Sequence, residues 1–174
     1  MTIDTRRVRL TACRLRNRAC ATTLGVAGLA ALSIPAAADG VTVSIPSFLS
    51  FNVWDVTRPT TGSPAIFHIA FSDAVLGAGE SVRIGMQASA PDFTPPAGPA
   101  IPTSLVSWSV TNPVNGTGAG GTLSADTCAT VLLANPDATS GSVDLTWTLA
   151  APGPGIRAGN HALAVTWKIE SVSP

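Results

Sequence analysis

Val143-Asp144-Leu145-Thr146-Trp147-Thr148-Leu149 puts an apolar side chain at every second position and a polar one between. Successive side chains of a strand point to opposite faces, so a period of two describes an extended segment with one buried face. The pattern recurs along the chain. Leu163, Val165, Trp167 and Ile169 alternate with Ala164, Thr166 and Lys168, while Val82, Ile84, Met86 and Ala88 alternate with Arg83, Gly85 and Gln87. Val41, Val43 and Ile45 alternate with Thr42 and Ser44, then Pro46 interrupts before Leu49, Phe51 and Val53 resume. Three more apolar runs, 66–71, 105–110 and 127–133, read as strands covered partly on both faces. About eight strands result.

Between the strands, proline and glycine supply about a fifth of residues 39–174, which argues against long helices. The proline-rich stretch 91–102 reads as a stiff crossover loop, since proline cannot donate a ladder hydrogen bond. The stretch 112–121, with four glycines and Asn115-Gly116, reads as a mobile loop able to visit positive φ. Pro152-Gly153-Pro154-Gly155 turns the chain toward its last strand. Short strands with turn signals between them must bury their apolar faces against a second sheet. The expected fold is all-β, an immunoglobulin-like sandwich of about eight antiparallel strands.

That domain is expected to begin at residue 39. Residues 1–38 carry six arginines against Asp4, then an apolar stretch from Ala19 to Ile34, then Pro35-Ala36-Ala37-Ala38. A basic segment, a short apolar run and small residues at Ala36 and Ala38 are the three parts of a secretory signal peptide with an A-x-A cleavage site. The apolar run falls short of the roughly 20 residues needed to span a bilayer. Processing leaves a single domain, residues 39–174, with no membrane-spanning segment, placed outside the cytoplasm as a secreted or cell-surface protein.

The formal charge of +0 hides two unlike parts. Residues 1–38 sum to +5, whereas residues 39–174 hold four basic side chains against nine acidic ones, a balance of −5. So few basic groups cannot hold a nucleic-acid backbone, and 45% hydrophobic content excludes a disordered chain. Cys13 and Cys20 leave with the leader, so Cys128 stands alone and no internal disulfide is possible. In its apolar run it reads as a buried, inert thiol.

A catalytic reading needs titratable groups brought together, and the sequence offers few. His68 lies in an apolar run and reads as an outward-facing strand residue; His161, after Gly159-Asn160, reads as solvated. No nucleophile elbow, no paired zinc-ligand motif and no calcium-loop spacing occurs. The expectation is a protein that is no enzyme and takes no metal or cofactor. Tryptophan is more informative. Trp147 and Trp167 read as core, and Trp54, beside Asp55 at the end of its strand, is the best candidate for exposure.

Two resemblances bear on partners. Trp147-Thr148-Leu149 and the closing stretch from Gly159 through Trp167-Lys168-Ile169 resemble the WxL family of bacterial cell-surface domains, with Ile169 in place of the second motif's leucine. The resemblance implies a secreted protein attached non-covalently to cell-wall polymer or surface proteins. Val41, Val43 and Ile45 resemble the donor strand of spore-coat-U-like and other chaperone-usher pilus subunits, which implies self-assembly by completing a neighbour's sheet. The same residues also read as the first strand of their own sandwich. A third reading is a carbohydrate-binding module using exposed tryptophan. Candidate interaction residues are therefore Val41, Val43, Ile45 and Trp54, while Trp147, Leu149, Trp167 and Ile169 carry the WxL-like motif. N-terminal sequencing of the exported protein is expected to begin at Asp39; a start at Met1 would retire the leader.

Overall fold

The computed structural model describes residues 41–173, together with the backbone of Thr2–Asp4 and Ile34–Pro35. Most of the expected signal peptide and its cleavage site lie outside the described residues. The fold is all-β. In chain order the strands are β1 (Thr2–Asp4), β2 (Ile34–Pro35), β3 (Thr42–Ser44), β4 (Phe48–Ser50), β5 (Thr60–Thr61), β6 (Phe67–Ser72) and β7 (Ser81–Ala88). A 3-10 turn at Thr103–Leu105 precedes β8 (Val106–Val114), β9 (Gly116–Gly118), β10 (Gly121–Thr122), β11 (Ala129–Ala134), β12 (Gly141–Leu149) and β13 (Ala162–Val172). One sheet runs β4-β1-β13-β7-β11-β9; the other runs β10-β8-β12-β6-β3-β2, with β5 also pairing β12. Pairing is antiparallel except where β1 lies parallel to β13.

The alternation that announced the strands is realised as burial. Along β12, Val143, Leu145, Trp147 and Leu149 are buried while Ser142, Asp144, Thr146 and Thr148 are half-buried. Along β13, Leu163, Val165, Trp167 and Ile169 point inward. Aromatic rings link the two sheets. Phe67 on β6 meets Trp147 edge-on at 6.0 Å and stacks on Trp167 of the other sheet at 6.2 Å, and Trp147 lies 5.7 Å from Trp108 on β8. Such pairs add about 0.5–1.5 kcal/mol each beyond the area they bury. The Trp108 indole N–H donates to the Ala119 carbonyl at 2.8 Å, but those of Trp147 and Trp167 have no partner.

Three expectations change. The run 66–71 buries chiefly one face, as Phe67, Ile69 and Phe71 point in while Ile66 and His68 are exposed, whereas in 105–110 Val106 and Trp108 are buried and Leu105 and Ser107 on the other face are half-buried. In β11 the register shifts between Thr130 and Leu132, and this irregularity is what turns consecutive Val131 and Leu132 both inward. The stretch 112–121 is a strand-turn-strand segment rather than a free loop. Asn112 and Asn115 take left-handed conformations with φ of 50° and 53°, which asparagine tolerates, and β9 then pairs with β11. Gly116 is required there because a Cβ would stand 2.5 Å from the Leu133 carbonyl oxygen.

The proline-rich stretch also folds upon itself. Phe93 N–H donates to the Ile101 carbonyl at 2.9 Å and Thr103 N–H to Pro91 at 2.8 Å, which carries Phe93 and Ile101 into the core. The central test is Phe67→Ala, which removes the ring between the sheets. It is expected to cost about 3–5 kcal/mol in urea unfolding followed by tryptophan fluorescence, and a loss below about 1 kcal/mol would show that other contacts hold the sheets together.

Candidate functional site

The WxL-like residues are all inside. Trp147, Leu149, Trp167 and Ile169 belong to the buried cluster, so they can act on a partner only by shaping the core beneath a surface. Val41, Val43 and Ile45 lie in the chain's own sheet, where Thr42, Val43 and Ser44 pair with Ser72, Phe71 and Ala70 of β6. Val43 is buried, and Val41 and Ile45 pack against the core.

The backbone of β1 occupies a position that no sequence pattern announced. Thr2, Ile3 and Asp4 pair in parallel with Ala162, Leu163 and Ala164, and antiparallel with Ser50, Leu49 and Phe48. One strand-width therefore separates β4 from the start of β13. Beyond Ala164, β13 pairs along Val165 to Val172 with β7.

Trp54 stands in water, 95% exposed, although its backbone is well anchored. Phe51 is buried before it and Val53 packs on the core. After it, the Asp55 carboxylate accepts from the Thr57 N–H at 2.9 Å and the Thr57 hydroxyl at 2.6 Å, and lies 3.4 Å from the Arg58 Nε. The Gly153 N–H donates to the Val56 carbonyl at 2.9 Å, tying the turn to the loop before β13. The Thr57 hydroxyl, then its N–H, hold the Asp55 carboxyl below its usual range, because both donate to the ionised form. An indole buries about 150–250 Å² when packed, so leaving it in water forgoes about 4–6 kcal/mol at 25 cal/mol per Å². Folding makes no use of this ring.

On the outer face of the other sheet a polar cluster forms from residues far apart in sequence. His68 Nδ1 lies 2.6 Å from the Asp144 Oδ1, and Asn112 Nδ2 donates to the Asp144 Oδ2 at 2.9 Å. An ionised carboxylate only accepts, so the imidazole N–H donates. Strand register brings them together: Asp144 faces His68 on β6 and Thr111 on β8. Sequence reading missed the cluster because 76 positions separate His68 from Asp144. The alternating pattern does place both on outward faces, which was the available signal. The arrangement orients an imidazole and ties three strands.

His161 is buried rather than solvated. Its Nε2 lies 2.9 Å from the Arg157 carbonyl and its Nδ1 has no partner, because the turn after Gly159 folds inward instead of outward. Cys128 is half-buried and sits over Gly85, where a Cβ would meet its sulfur at 2.8 Å. A shallow depression of about 280 Å³ beside Asp92, Thr94 and Ala162–Ala164 is smaller than the roughly 300–1,000 Å³ of small-molecule sites. Among the described residues no three His, Cys, Asp or Glu side chains are grouped to hold a metal ion, and no helix is long and apolar enough to cross a membrane. No known protein family, curated protein or solved structure matches this chain.

Asp144 gives a test of the polar cluster. Hydrogen bonds from Asn112 first, and then from His68, hold its carboxyl below the usual range. Its folded pKa lies under its unfolded one, so its stabilisation is fully present above about pH 4 and is lost as pH falls through the folded value. Asp144→Asn is expected to lower the melting temperature at about pH 5, with the gap to the wild-type chain closing as the pH falls below about 4. A gap independent of pH would remove the carboxylate's charge from the account.

Proposed function

We propose that this chain is an exported, non-catalytic surface or extracellular structural protein of a bacterium. In this reading the first 38 residues are a removable signal peptide, and the rest is an immunoglobulin-like sandwich that binds wall polymer or partner proteins through strand edges and loops. The position of β1 carries the proposal. Residues paired on both sides between β4 and β13 belong to the segment expected to be cleaved, so processing would open a place one strand wide. Unpaired N–H and C=O groups at a sheet edge seek a partner strand, and main-chain pairing there accepts many sequences.

A second reading, self-assembly through residues 41–45, is favoured by a count of pairings. Loss of Ile34–Pro35 with the leader would make β3 an edge strand held at three positions to β6. In the place of β1, the same length of strand is paired at three positions on each of two sides. Exchange into a neighbour would therefore increase main-chain pairing while following the alternation of Val41, Val43 and Ile45.

Purified residues 39–174 separate these readings. A synthetic peptide of residues 1–9 added in trans is expected to raise the melting temperature in a saturable manner, whereas a scrambled peptide leaves it unchanged. Absence of any shift, in a protein that also captures no partner and does not pellet with isolated wall, removes the proposal. Sedimentation reports on the second reading: concentration-dependent oligomers lost on deletion of residues 39–45 support it, and a monomer at every concentration ends it.

A further inference from the structure

We propose that Trp54 and its turn form a stacking site for a pyranose ring of a wall glycan. This deepens the wall-polymer side of the reading above and does not use the strand position. Three observations carry it. The ring is 95% exposed while Trp108, Trp147 and Trp167 are buried, so it alone of the four tryptophans can receive a ligand on its face. The turn that presents it is held by the Asp55 carboxylate, by the Gly153 N–H on the Val56 carbonyl, and by the packing of Phe51 and Val53. A ring on an anchored backbone loses little freedom when it binds, which is what a contact residue needs.

The third observation is the chemistry of the surroundings. Asn52, Asp55, Thr57 and Arg58 are all exposed, so hydrogen-bonding groups flank one flat apolar surface in the chain. A pyranose has the matching character, with C–H groups on its faces and hydroxyls around its rim. Nucleic-acid bases also stack on indole, but they bring phosphates that need a basic groove. With four basic side chains against nine acidic ones over residues 39–174, the domain repels a polyanion.

The test uses the full chain with soluble N-acetyl-chitohexaose and cellohexaose as probes, and isolated cell wall as the polymer. Since only Trp54 is open to water, its fluorescence is the fraction quenched by iodide, and a bound sugar should shield it. Saturable shielding is expected with at least one probe; titration calorimetry with that probe, which does not need the indole as reporter, is expected to show at least about a tenfold loss of affinity in Trp54→Ala and near-retention in Trp54→Phe. Trp54→Ala should melt within about 2 °C of the parent, because an exposed side chain contributes little to stability. Binding unchanged in Trp54→Ala overturns the site while leaving wall attachment by another surface intact. No shielding by either probe, with a protein that still pellets with wall, likewise overturns the site. No shielding and no pelleting overturns both the site and the wall-polymer reading.

Discussion

Phe67 holds the two sheets together. Its ring lies edge-on to Trp147 within its own sheet and stacks on Trp167 of the opposite one, so a single phenyl group couples both C-terminal strands through the core. Cys128, the one cysteine among the described residues, is a free thiol, so these strands draw their stability from such packing.

Seven of the nine aromatic side chains are committed to the interior, so the proposals made for the surface rest on edges and loops. The WxL-like tryptophans are buried in this fold, and the features on which the proposals rest are the strand place beside β13, filled here by β1, and one indole on a tied turn. These two features use different physics. A strand position recognises backbone and tolerates sequence, whereas an exposed indole recognises a flat apolar face and discriminates by the groups around it. A surface protein can use both at once, since one lies along a sheet edge and the other in the segment between β4 and β5.

Much of the fold was legible along the chain because burial in a sheet imposes a period of two. β12 and β13 were readable to within two or three residues for that reason, and so was β7. Where two residues interact across strands, the pattern weakens. The stretch 112–121 looked free because its glycines suggested mobility, yet they permit close approach of β9 to β11. His161 looked solvated because it follows a turn, but the direction of that turn depends on Arg157 and the strands beneath it. Cys128 sits half-buried over Gly85, a partner that register alone assigns.

The candidate site divides in the same way. Trp54 could be singled out from its polar neighbours, although the strand expected to lead to it ends at Ser50 and leaves it in the segment between β4 and β5. The His68–Asp144–Asn112 cluster and the position between β4 and β13 could not, because each joins segments separated by dozens of residues. By itself the sequence determined the strand class, most of the inward faces and the unequal charge of residues 1–38 and 39–174, all of which follow from local periodicity and composition. Only the tertiary structure decided which strands are neighbours and which edges stay open, because register and sheet order arise from the packing of distant apolar faces, about which neighbouring residues carry no information.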